Sequence, residues 1–170
     1  MIRLLSIAVL AVVLAGCAGR EIPATKLERA DVLPLALDDD FQFRKQKLQF
    51  YDGVQEVPTQ SETVNFERSR LRWGTTQNFE REMLYGNYYT FFWRTSREAD
   101  VTVRLEYRQA ALGNYVMAQE RYYPAARGSY TSHFQVIGDD FLEFGRVTSW
   151  RALLIVDGRI VALRQSFTWR

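Results

Sequence analysis

The run 100–108 constrains this chain most tightly. Val101, Val103, Leu105 and Tyr107 alternate with Thr102, Arg104, Glu106 and Arg108. That is the period of a β-strand with one buried and one wet face. Runs of similar length surround it at 64–73, 87–94, 115–122 and 130–137. Turn residues separate them: Gly113-Asn114, the stretch 124–128, and Gly138-Asp139-Asp140. At the end of the chain, runs 150–156 and 159–169 flank Asp157-Gly158, a two-residue loop of the type I′ hairpin kind. On the last run Val161, Leu163, Phe167 and Trp169 share one face, broken by Gln165. Aromatic residues make up 14% of the chain, which favours strands over helices.

Seven strands between residues 64 and 169 predict an all-β domain. The closing hairpin, an aromatic-led strand followed by Val-Asp-Gly, Ile-Val-Ala and a terminal Phe-Thr-Trp, resembles the last hairpin of immunoglobulin-like and fibronectin-type domains. The resemblance covers about twenty residues and concerns fold alone. It implies an immunoglobulin-like two-sheet antiparallel sandwich of about seven strands. The only cysteine is Cys17, so no disulfide can join the sheets. A core of Trp93, Leu105, Phe134, Trp150 and Val161 would hold them instead.

The N-terminus has a different character. Arg3 precedes residues 4–16, whose only polar side chain is Ser6. This run is short of the roughly 20 apolar residues that a membrane-spanning helix needs, and fits the apolar part of a secretory signal. Leu14-Ala15-Gly16-Cys17 resembles the lipobox of bacterial lipoproteins. The resemblance implies a signal peptide over 1–16, cleavage before Cys17, and a diacylglycerol on its sulfur. Residue 18 is alanine rather than aspartate, which by the same resemblance implies the outer membrane. Residues 17–40 then read as lipidated cysteine and tether, interrupted by Pro23 and Pro34 and closed by Asp38-Asp39-Asp40, a solvated loop. Residues 41–63 fit neither period cleanly and are expected to pack on the sandwich, which occupies 64–170.

Removing Arg3 with the leader leaves 21 basic against 20 acidic residues, a balance that does not suggest nucleic acid. Every base after residue 63 is an arginine. The single histidine, His133, sits in mid-strand and reads as locally satisfied. No nucleophile elbow, zinc-binding helix motif or phosphate-binding glycine loop occurs. The sequence therefore predicts no enzyme, no metal and no cofactor.

Two features suit binding. Arg68, Arg70 and Arg72 would project from one face if 66–73 were a strand, a row suited to phosphate or carboxylate groups. In the run 88–93, Tyr88 and Phe92 fall on one face and Tyr89, Phe91 and Trp93 on the other, so one set lacks a place in the core. Tyr88 and Tyr89 are accordingly candidate ligand residues beside the arginines. The expected function is that of a lipid-anchored, non-catalytic interaction or structural module of the cell envelope. Its partners would be the membrane, through Cys17, and another envelope protein or a glycan. The alternative is a binding module for a glycan or anionic envelope polymer such as peptidoglycan or lipopolysaccharide.

Overall fold

The computed structural model describes residues 22–53, 59–70 and 78–169. The signal segment and Cys17 lie outside them. Six strands form a single antiparallel sheet among the described residues: β1 (Thr25–Leu27), β2 (Phe41–Tyr51), β3 (Gly86–Gln109), β4 (Met117–Ile137), β5 (Val147–Val156) and β6 (Arg159–Gln165). Short helices α1 (Glu62–Arg70), α2 (Asn78–Glu82) and α3 (Asp139–Phe144) occupy three connections. The sheet order is β1-β4-β3-β5-β6, and β2 also pairs with β3.

The all-β expectation holds, but the strands are divided differently. The runs at 87–94 and 100–108 are one 24-residue strand, and those at 115–122 and 130–137 are one 21-residue strand. β4 follows one edge of β3 throughout. The other edge is shared: β2 pairs with residues 86–95 and β5 with 102–109. Register slips between Thr95 and Val101 mark where β3 bends.

The bend lets one sheet make two layers. Tyr89, Phe91 and Trp93 from the first half of β3 face Val101, Val103, Leu105 and Tyr107 from the second, and all seven are at most 3% exposed. The contact is direct, since Phe91 meets Trp150 of β5 at 5.5 Å and Trp93 meets Tyr123 edge-on at 5.1 Å. The five residues expected in the core are all buried. Each large apolar side chain so buried contributes about 1.5–3 kcal/mol relative to an exposed one. Trp93 donates its indole N–H to Ser132 Oγ at 2.9 Å, so its polar end is satisfied inside the core.

The expected solvated Asp38-Asp39-Asp40 instead braces the bend. Ser96 N–H donates to the Asp40 carbonyl, and Ser96 Oγ contacts the Asp40 carboxylate. Arg97 pairs with Asp38 at 3.0 Å and Asp40 at 3.4 Å. The Asp40 backbone N–H and then Arg97 hold the Asp38 carboxyl below the usual carboxylate range.

Most of the expected tether is likewise part of the domain. β1 pairs with β4, Arg121 donates to the Ile22 carbonyl, and Ala36 and Asp38 donate to the carbonyls of Ile160 and Val161. Unpaired edges of β4 and β6 offer backbone partners that a free tether would leave to water. Residues 22–38 therefore form a strap. Leu33 closes a small outer cluster of Leu153, Ile155 and Ile160.

The strap also overturns the wet face of 100–108. Arg104 and Glu106 are 7% and 4% exposed. Arg104 bonds Glu120 at 2.5 Å and the Asp31 carbonyl at 2.9 Å, and Arg151 bonds Glu106 at 2.5 Å. Trp169 stacks under Arg108 and Arg151. Charges can be buried here because each finds a partner.

The closing hairpin turns at Asp157 and Gly158 with φ of 48° and 70°, the two positive values of a type I′ turn. The shared face expected along its last strand is not kept. A register slip between Leu154 and Ile155 buries Val161 and Ala162 together, Leu163 is exposed, and the strand stops at Gln165 with Phe167 outside.

Gly86 starts β3 at φ 141°, and a Cβ there would lie 2.1 Å from the Val136 carbonyl oxygen. Gly86→Ala should destabilise the protein by about 3 kcal/mol, combining backbone strain and overpacking. Urea denaturation measures this, and a loss below about 1 kcal/mol would mean the β3–β4 pair can slide to make room.

Candidate functional site: an aromatic cleft beside β3

The strand on which the arginine row depended is absent over residues 66–70. Residues 62–70 are helical, and a helix of 3.6 residues per turn does not carry positions 68 and 70 on one side as a strand would. Arg72 lies outside the described residues. Asn65 favours the helix by gripping the chain before it: its Oδ1 accepts from Thr59 N–H at 2.8 Å and its Nδ2 donates to the Thr59 carbonyl at 2.7 Å. The run from Glu62 carries good helix formers with few β-branched residues.

The aromatic pair separates. Tyr89 is 3% exposed and faces inward with Phe91 and Trp93, so it belongs to the core as well as to the cleft described below. Tyr88 and Phe92 are half-buried on the outer face. β2 lies beside them and does not cover them. It sets Gln49 opposite Tyr88, Lys47 opposite Thr90 and Lys45 opposite Phe92. His133 also lies on this face and pairs through Nδ1 with Thr90 Oγ1 at 3.0 Å.

Where the two layers part, β2, the start of β3 and the start of β5 enclose a cleft of about 240 Å³. Its apolar walls come from Phe50, Tyr89 and Trp150, and its polar groups from Asn87, Arg146, Thr148 and Ser166. The fold places each one. Gln109, fully buried, donates Nε2 to the carbonyls of Asp140 and Gly145 and so fixes the loop after α3. Val147 N–H donates to Asn87 Oδ1 at 3.1 Å, and Ala110 N–H to the Arg146 carbonyl. Arg146 then lies over the Phe50 ring at 4.3 Å, while Phe141 of α3 meets the same ring at 5.8 Å. Ser166 Oγ accepts from Trp150 N–H at 3.1 Å.

The electrostatics leave the cleft weakly positive. No carboxylate pairs with Arg146 among the described residues. Burial pushes the Tyr89 phenol above the ordinary tyrosine range; Tyr107 adds to the rise and Arg146 opposes it. Tyr89 therefore stays protonated and can donate. Burial raises Tyr88 to about 12, with Tyr51 adding to it, and its hydroxyl donates to the Leu84 carbonyl at 2.6 Å.

A second cavity of about 480 Å³ runs along the edge of β4, where Lys26 and Asp140 pair at 2.6 Å and Gln119 donates to the Gln135 carbonyl. Its named polar groups bond to one another, and it serves the packing of the strap.

Sequence reasoning passed over Asn87, Arg146 and Ser166. Asn87 was the most legible of them, being a polar residue of low strand propensity just before an aromatic run. Arg146 and Ser166 carry no local signal, because only the folding over of β3 brings their segments to the same place. No family model, curated protein or solved structure matches the chain.

Tyr88 gives a pH test. The folded state holds this proton more tightly than the unfolded chain, whose tyrosines titrate near 10. The resulting stability is complete below pH 10 and is lost as pH rises toward 12. Thermal melts across that window should fall with pH, and Tyr88→Phe should flatten the fall. An unchanged slope would assign the alkaline limb to other groups.

Proposed function

We propose that the chain is a lipid-anchored protein of the cell envelope, held in the outer membrane through Cys17 and facing the periplasm, and that its folded part is a non-catalytic interaction or structural module. The observation that carries the anchor is the sequence Leu14-Ala15-Gly16-Cys17 behind a charged start and an apolar run. The strap supports the same reading from the other side, because the chain is already bonded to the domain at Ile22, through Arg121. Five chain steps from Cys17 reach at most about 18 Å. A domain so leashed stays at the bilayer surface, and its lipid gives it a fixed address rather than a long radius of search. The two packed layers would serve as an immunoglobulin-like sandwich does, as a rigid platform for recognition.

A second reading is favoured by one feature of the cleft: Arg146 stacks on Phe50 without a carboxylate partner among the described residues. It makes the protein a binding module for a glycan or an anionic polymer of the envelope. The leash meets the domain along β4, whereas the cleft opens on the opposite edge of β3, where β2 and β5 pair.

With the leader intact, Cys17→Ser should move the protein from the membrane to the soluble fraction and leave its thermal midpoint unchanged. Persistence in the membrane fraction would remove the anchor. Photo-crosslinking in cells from position 148, at the cleft, should then yield one discrete protein under the first reading and envelope polymer under the second. Labelling at random would remove both.

A further inference from the structure

We infer that the cleft is a binding site for a single sugar ring that carries a carboxylate. This deepens the glycan reading above and rests on it. Size argues first. The cleft measures about 240 Å³, below the roughly 300–1,000 Å³ of sites for drug-sized ligands. One ring fits, as a terminus or a branch, where a length of polymer would not.

The walls suit a pyranose. Trp150 lines the cleft with aromatic surface for the apolar C–H face of the ring, and the groups around it offer hydrogen bonds for its hydroxyls. Asn87 is 9% exposed, and its Oδ1 is committed to Val147 N–H. That bond fixes the amide, and its Nδ2 donors meet no protein acceptor among the described residues. The Tyr89 hydroxyl likewise has no partner among them, although the residue is 3% exposed. Neither donor is sealed from solvent, so both open on the cleft as groups that the oxygens of a sugar can take over from water.

Arg146 supplies the charge preference. Its stacking on Phe50 at 4.3 Å holds the guanidinium plane, which leaves the N–H edge free to take a planar carboxylate in the two-pronged manner that a lysine cannot offer. One guanidinium balances one negative charge, which matches a sugar acid. The stacked cation is exposed at the mouth, so the carboxylate would sit outermost with the ring beneath it.

Isothermal titration of the full-length protein in detergent micelles, with D-glucuronate, D-glucose and acetate as separate probes, tests this. D-glucuronate should bind at least tenfold more tightly than either of the others. Arg146→Gln should reduce it to the glucose value with no change in thermal midpoint. Acetate binding as well as glucuronate would mark a plain anion site and overturn the proposal. Equal binding of glucuronate and glucose would overturn the carboxylate preference while keeping the glycan reading. No heat from either sugar would end both. Undiminished glucuronate binding in Arg146→Gln would place the sugar elsewhere and overturn the assignment to this cleft.

Discussion

β3 has two edges and three neighbours, and the rest of the structure follows from that arithmetic. β4 takes one edge along its whole length. β2 and β5 divide the other, and each needs core on the same face of the strand. A flat 24-residue strand would set their centres about 50 Å apart along its axis, since strands rise roughly 3.3 Å per residue. Bending brings their apolar faces together. The acids at 38 and 40 are placed to hold that bend, and Thr95 Oγ1 donates to the Arg97 carbonyl at 2.5 Å inside it. The core is therefore the product of one corner, and the cleft is the gap left where the two halves diverge again.

Period-two patterning made the elements legible but not their continuity. Each half of β3 reads correctly as a strand, with Tyr89, Phe91 and Trp93 inward and Val101, Val103, Leu105 and Tyr107 inward. Ser96, Arg97 and Glu98 between them look like a loop because they are polar and exposed, yet the strand runs on through them where its pairing with β4 slips. The Asp157-Gly158 turn was legible to the residue because its backbone demands are local. The helix at 62–70 was not, since Val64 and Phe66 mimic a strand period over a short window.

The same limit applied to the cleft. Aromatic residues near 88 drew attention on composition, and Tyr88 and Tyr89 do border it. Arg146 and Ser166 enter only through tertiary structure. The outer charges are a sharper case. Arg104 and Glu106 alternate with the core residues as surface residues should, and no periodicity can announce that a strap will cross over them. Here the sequence pattern records which side of a strand faces the main core, while burial depends on what else arrives.

The strap ties together parts of the chain that are made far apart in time. Leu35 bridges Ile160 in parallel, and Pro34 accepts the Ile160 N–H. Closing a loop of that length is slow, and it must wait for the last hairpin to exist. Until then residues 34–38 lack their partners on β6, although β1 can already pair with β4. A nascent or C-terminally clipped molecule would keep the clasp of β1 on β4 and lose the one on β6, so completion of the final strand decides whether the strap is held at one end or at both.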